Sequence, residues 1–204
     1  MIYSEIDYNQ IINNSIEGIQ IERLEIGDLS IPTGQIVLCD PLAYPKVEPL
    51  FKTVSPGNYP VTLYIAKTGD WGDRIAIAVL SFNSQKADKY ELALDYFPVD
   101  AGVAGFMDYS VNQHYLSFEK DFYTKNPNGN IYDDLFKKEF VKNATREGSD
   151  GDWINFHFPD KPEYNLTMFT SGYGDGLYSA YWGITNKGDI TNLVIDFEVI
   201  SLNE

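Results

Sequence analysis

Apolar and polar positions alternate with a period of two through much of the chain, which is the signature of strands with a buried and a less buried face. From Tyr59 to Lys67, Val61, Leu63 and Ile65 alternate with Thr62, Tyr64 and Ala66, predicting a half-buried strand. Arg74 to Phe82 is apolar on both faces apart from its ends and predicts a central strand. Thr68-Gly-Asp-Trp-Gly-Asp73 joins the two at hairpin length, and Pro56-Gly57 and Pro60 suggest that the first strand starts from a sheet edge. Gln35 to Cys39 reads as another short strand. Tyr178 to Ile184, the turn Asn186-Lys-Gly-Asp189 and Asn192 to Ile200 predict a second hairpin. In it Leu193, Ile195, Phe197 and Val199 share one face, while Asp196 and Glu198 take the other.

Helical spacing is the minority pattern. Asp133 to Arg146 places Leu135, Phe136, Phe140, Val141 and Ala144 on one side of a wheel, with Gly148 positioned to end the helix. Tyr109 to Tyr123 and Lys86 to Leu94 fit shorter helices. Pro127-Asn-Gly-Asn130 and Glu147 to Asp152 read as exposed loops. Short two-faced strands joined by Gly and Pro turns outnumber helices and show no βαβ alternation. The expected fold is therefore mainly β (α+β), a single-domain antiparallel β-sandwich or open barrel with a few peripheral helices.

At 204 residues and 44% hydrophobic the chain can bury one substantial core. We expect one domain from residue 31 to 204 and an N-terminal extension, residues 1–30, packed on it. The formal charge of −15 and the 15 Lys and Arg against 30 Asp and Glu disfavour nucleic acid and favour a basic partner. The bland alternative is that acidity serves solubility. A lone Cys39 excludes an internal disulfide and reads as a small buried apolar residue. No basic region precedes an apolar run and no uncharged stretch reaches membrane-spanning length, so a cytoplasmic protein with no membrane partner is expected.

Glycines concentrate around one carboxylate in Thr170-Ser-Gly-Tyr-Gly-Asp-Gly176, which implies a tightly specified turn. This stretch continues to Gly183 and is followed by Leu193-Val-Ile-Asp-Phe-Glu-Val199. With Val99-Asp-Ala-Gly-Val-Ala-Gly-Phe-Met-Asp108, Pro56-Gly-Asn-Tyr-Pro-Val61, Arg74-Ile-Ala76 and Cys39-Asp-Pro41, it resembles a bacterial family of unknown function, DUF4241. The blocks span roughly residues 34 to 199. The resemblance implies no assigned activity or catalytic set.

The carboxylates within these blocks are Asp40, Asp100, Asp108, Asp175 and Asp196. Convergence of Asp100, Asp108 and Asp175, with Arg74 nearby, would make a metal-assisted hydrolase using Mg²⁺ or Ca²⁺, or an acid and base pair. Otherwise each caps a local turn. Ser149 to Asp152 lacks the ligand alternation of an EF-hand and reads as a solvated turn, while His114 and His157, each among aromatics, read as packing residues. Ser171 is not in a Gly-x-Ser-x-Gly elbow, and Gly172 to Gly176 lacks the Lys of a phosphate loop.

Aromatics are plentiful, with 15 Tyr, 12 Phe and 3 Trp. Trp71, Tyr173, Tyr178, Tyr181 and Trp182 fall in or beside turns and, with Asp175, form a candidate protein-binding set; the alternative is that they fill the core and its rim. The expected function is a non-catalytic protein-binding module, immunity or antitoxin-like, taking a basic partner without a cofactor. The metal-dependent hydrolase is the alternative.

Overall fold

A computed structural model describes residues 2–144 and 151–200. Among these residues, ten strands form two antiparallel sheets. Strands β1 (Ile21–Ile31), β3 (Gly57–Lys67), β4 (Asp73–Ser81), β10 (Ile190–Asp196), β9 (Gly176–Ile184) and β5 (Lys89–Val99) make a six-stranded sheet in the order β1-β3-β4-β10-β9-β5. Strands β2 (Ile36–Cys39), β6 (Val103–Asp108), β8 (Lys161–Thr170) and β7 (Trp153–Phe158) make a four-stranded sheet in the order β2-β6-β8-β7. The expected mainly β sandwich is present, and no barrel closes among the described residues.

Three apolar clusters bind the layers together. Between the sheets, Val61, Leu63 and Ile65 of β3, Leu193 and Ile195 of β10, and Trp182 of β9 meet Ile36, Leu38, Phe106 and Phe169 of the smaller sheet. Outside the smaller sheet, Val37, Met107 and Met168 pack against helix α2 (Tyr109–Lys125) through Val111 and Tyr115. Phe136 and Phe140 join them from a π turn (Tyr132–Phe136) and helix α3 (Lys137–Lys142). Outside the larger sheet, Tyr64, Ile77, Val79 and Val194 pack under the short helix α1 (Tyr8–Ile12) through Tyr8 and Ile11. Because that last cluster covers its outer face, β3 is buried on both sides over Val61–Ala66 rather than half-buried.

Other local expectations are corrected as well. β3 does not start from an edge, because β1 pairs along it and Pro60 lies beside the register shift between Glu25 and Asp28, where ladder pairing is already interrupted. The stretch expected as a helix over Lys86 to Leu94 is instead a short connection, Lys86 to Asp88, followed by the start of β5 at Lys89. Its Lys, Glu, Ala and Leu residues favour helix, but pairing with β9 prevails, and shifts at Leu92/Leu94 and Leu94/Phe97 spoil the alternation that would have revealed a strand. The helix expected over Asp133 to Arg146 is described only to its cap at Asn143, with Val141 exposed instead of packed. Thr145, Arg146 and Gly148 lie outside the described residues. The first thirty residues contribute a full strand, since β1 runs to Ile31 within the six-stranded sheet.

β1 is tied to the smaller sheet by side-chain amides rather than a backbone ladder. Asn165 Nδ2 donates to Asp28 O at 2.8 Å, its Oδ1 accepts from Ser30 N at 2.8 Å, and Asn155 Nδ2 donates to Ile26 O at 3.2 Å. Gly27, at φ +95°, makes this bulge possible; a Cβ there would lie 2.9 Å from Asn155 Nδ2.

Candidate functional site

The scattered glycine-rich blocks converge at one end of the sandwich. Asp40 follows β2 and is fully buried. Its Oδ1 accepts from Leu42 N and Ala43 N at 2.9 and 3.1 Å, and its Oδ2 accepts from Asp100 N and Ala101 N at 2.9 and 2.7 Å. One carboxylate thus fixes two turns to each other. The second of these, between β5 and β6, continues into Gly102 at φ +66°, whose carbonyl accepts from Ser171 N at 3.1 Å. Pro41 seats over Gly105, where a Cβ would come within 2.9 Å of its ring and 2.5 Å of Thr167 O. Neighbouring Cys39 is buried, which pushes its thiol pKa well above the ordinary value and leaves it an inert packing residue.

The turn from β8 to β9 is locked from within. Ser171 Oγ donates to Gly174 O at 2.8 Å, Tyr178 OH donates to the same carbonyl at 2.7 Å, and Gly174 N returns to Ser171 O at 2.6 Å. Gly172 and Gly174, at φ +47° and +112°, permit this path. The locked turn projects Tyr173, 56% exposed, and Asp175, also exposed. On the neighbouring β3–β4 turn, the 3₁₀ segment Gly69–Trp71 displays Trp71 at 72% exposure beside exposed Asp70.

Between these turns lies a polar cleft of about 230 Å³ lined by Asp73, Arg74, Gly102, Asp152, Ser171 and Tyr173, among others. The Arg74 guanidinium stands 5.7 Å from the Tyr173 ring centroid, and its Nη1 donates to Asp73 O at 3.0 Å. Asp73 is bound to Lys67, which also reaches Glu22, and these two partners raise the Lys67 pKa. Asp70, Asp100 and Asp175 make no ion pair with any described residue.

The carboxylates expected to converge do not all meet. Asp100 and Asp175 flank the Gly102 turn, and Asp175 Oδ1 would lie 4.0 Å from a Cβ on Gly102. Asp108 stands at the far end of β6, a strand that spans roughly 17 Å. Its oxygens are committed there to Thr33 N and Oγ1 and to Ser110 N and Oγ, so it caps α2. Asp196 is buried under α1, accepting from Tyr8 OH and Glu198 N at 2.8 Å each. Burial raises its pKa above the ordinary range. Among the described residues, no group of three or more His, Cys, Asp and Glu is placed to hold a metal ion.

Of the aromatic set, Trp182 is 1% exposed within the inter-sheet core, Tyr178 is buried as a support for the turn, and Tyr181 packs 5.4 Å from Tyr8 on the outer face. Trp71 and Tyr173 alone among them stand in solvent. Ser171 is buried with its hydroxyl committed. His114 packs edge-on against Phe158, whereas His157 is exposed, its Nδ1 3.0 Å from Pro162 O. Asp152, expected in a solvated turn, is buried against the cleft, while Ser149 and Asp150 lie outside the described residues. Sequence reasoning missed Asp152, Asp70 and Gly102 as parts of this end; the density of glycine in the blocks was the available signal.

These features define an acidic two-sheet sandwich whose loops carry an aromatic-bearing end. The sequence profile of the family described as "Protein of unknown function (DUF4241)" matches residues 29–195, and the chain belongs to that family. Searches of curated proteins and of solved structures find no match. No helix among the described residues is long and apolar enough to cross a membrane.

Proposed function

We propose that this chain is a non-catalytic protein-binding module that acts in the cytoplasm and takes a basic protein on its Trp71–Tyr173 end. Its role would be that of an immunity or antitoxin-like factor covering a basic toxin. The observation that carries this reading is the display of two large exposed aromatics, Tyr173 on an internally hydrogen-bonded turn and Trp71 on the neighbouring 3₁₀ segment, beside Asp70, Asp100 and Asp175, all three without ion pairs among the described residues. Aromatic anchors held in place lose little entropy on binding, and unpaired carboxylates steer a cationic partner. The net charge of −15 extends that attraction over the molecule and disfavours nucleic acid or an anionic membrane as partner. The reading needs no metal or cofactor, and no observation favours the metal-dependent hydrolase.

The test is affinity capture of the tagged protein from its source cells in EDTA, in parallel with a Trp71→Ala, Tyr173→Ala double variant. A stoichiometric basic protein held by the native chain and lost by the variant is the expected result. Capture of nothing, or equal capture by both, would overturn the assignment. Each anchor should contribute about 2 kcal/mol to binding, while the variant's stability stays within about 0.5 kcal/mol of the native chain.

A further inference from the structure

We propose that a second site, on the outer face of the six-stranded sheet, binds a small hydroxylated anion of the sugar phosphate or sugar acid class. The site is a pocket of about 440 Å³. Its floor is the outward face of β1, β3, β4 and β10, through Arg23, Tyr64, Val79, Ser81 and Asn192. One wall is α1 and the residue after it, through Asn9, Ile12 and Asn13, and the other is the segment from Asn83 to Ala87. The walls are fastened together and to the floor. Asn9 Nδ2 donates to Ala87 O at 3.1 Å, Asn83 Nδ2 donates to Ile190 O at 3.0 Å, and Gln85 N donates to Asn83 Oδ1 at 2.9 Å. The pocket is therefore built before a ligand arrives.

Three features select the ligand class. First, the lining excludes negative charge: no acidic residue among those described contributes to it, whereas Arg23 and Lys86 do. Glu25 engages Arg23 at 2.6 Å from outside the lining, but Lys86 has no ion pair among the described residues. In a chain of charge −15 this is a local reversal suited to a phosphate or carboxylate. Second, Asn192 is only 8% exposed and sets a polar side chain in the pocket floor between Tyr64 and Val79 of β3 and β4 and the Asn83–Ala87 wall. The buried Tyr90 hydroxyl is a hydrogen-bonding neighbour of that side chain, so the amide is held in place and meets the oxygens of a hydroxylated ligand already oriented. Third, amides and hydroxyls dominate the rest of the lining, and Tyr64, the single aromatic lining residue among those described, is buried. That disfavours a stacked base and favours a polyol.

The test is an amide-resolved NMR titration of the full chain with glucose 6-phosphate, gluconate, inorganic phosphate and glucose. Glucose 6-phosphate or gluconate should shift the Asn13 and Asn192 side-chain amides and the backbone amides of 84–86 at millimolar concentration or below. Glucose should not, and inorganic phosphate should act more weakly. Lys86→Glu should weaken binding about tenfold or more, whereas Lys187→Glu, the same charge change at an exposed position outside the pocket, should not. Absence of shifts with both hydroxylated anions, equal binding of glucose, equal binding of inorganic phosphate, or indifference to Lys86→Glu would each overturn the proposal.

Discussion

At the scale of single residues, two buried carboxylates have opposite consequences. Asp40 accepts four backbone N–H donors, two on each oxygen. Asparagine at this position keeps one acceptor and turns an NH₂ group toward two donors. Asp40→Asn should therefore lower stability by about 2–4 kcal/mol, a melting temperature drop of roughly 5–15 °C, read by thermal unfolding. An unchanged melting temperature would mean that the two turns hold together without it. Asp196 works the other way. Burial raises its folded pKa above the ordinary 3.8, so its proton is bound more tightly in the folded state. Its contribution is fully present below pH 3.8 and is lost as pH rises through the folded value. Relative to the native chain, Asp196→Asn should become more favourable at pH 7 than at pH 4, as measured by urea unfolding at both. A pH-independent difference would show that the hydrogen bonds from Tyr8 and Glu198 cancel the effect of burial.

At the scale of elements, both hairpins were legible because Val61, Leu63 and Ile65 alternate with Thr62 and Tyr64, Leu193-Val-Ile195 is a short apolar run rich in β-branched residues, and the intervening turns carry Gly and Asp. β5 was illegible because its two register shifts interrupt the period of two in a segment of helix-favouring residues. β1 escaped notice for a related reason: the bulge at Gly27 interrupts its pattern, and its outer edge is satisfied by Asn155 and Asn165, residues more than 120 positions away. The candidate site was half legible. Glycine density marked the turn of 170–176, but nothing in the sequence separates Tyr173, which stands in solvent, from Tyr178, which braces the turn beneath it. The amide clamp on β1 gives a direct test. Asn165→Leu leaves Ser30 N without its acceptor and Asp28 O with one donor fewer, and should cost about 2–3 kcal/mol with faster hydrogen exchange at the Ser30 amide. Unaltered exchange at Ser30 would show that inter-sheet apolar packing alone holds β1.

At the scale of the whole molecule, the layers are interdependent. Residues 2–16 cover part of the larger sheet's outer face, beside the pocket floored by Arg23, Tyr64 and Asn192. Tyr8 and Ile11 fill its outer cluster, Ser4 N donates to Tyr90 O, and Leu92 N donates to Ile2 O along the free edge of β5. These residues precede the segment matched by the family profile, yet they cover apolar side chains of strands within it. Burying Tyr8 and Ile11 contributes about 1.5–3 kcal/mol each. Removing residues 1–16 would uncover Tyr64, Ile77, Val79 and Val194 together with an unpaired stretch of edge, the combination that invites association. The truncated chain should therefore lose about 3–6 kcal/mol of stability and self-associate in sedimentation velocity. The Trp71–Tyr173 end, by contrast, is built from the turns after β3, β5 and β8, and α1 does not line its cleft. If partner capture survives in whatever fraction of the truncated protein stays monomeric, the acidic end is energetically separate from the N-terminal cover. A truncated chain that stays monomeric at the native melting temperature would mean instead that the six-stranded sheet tolerates an open back.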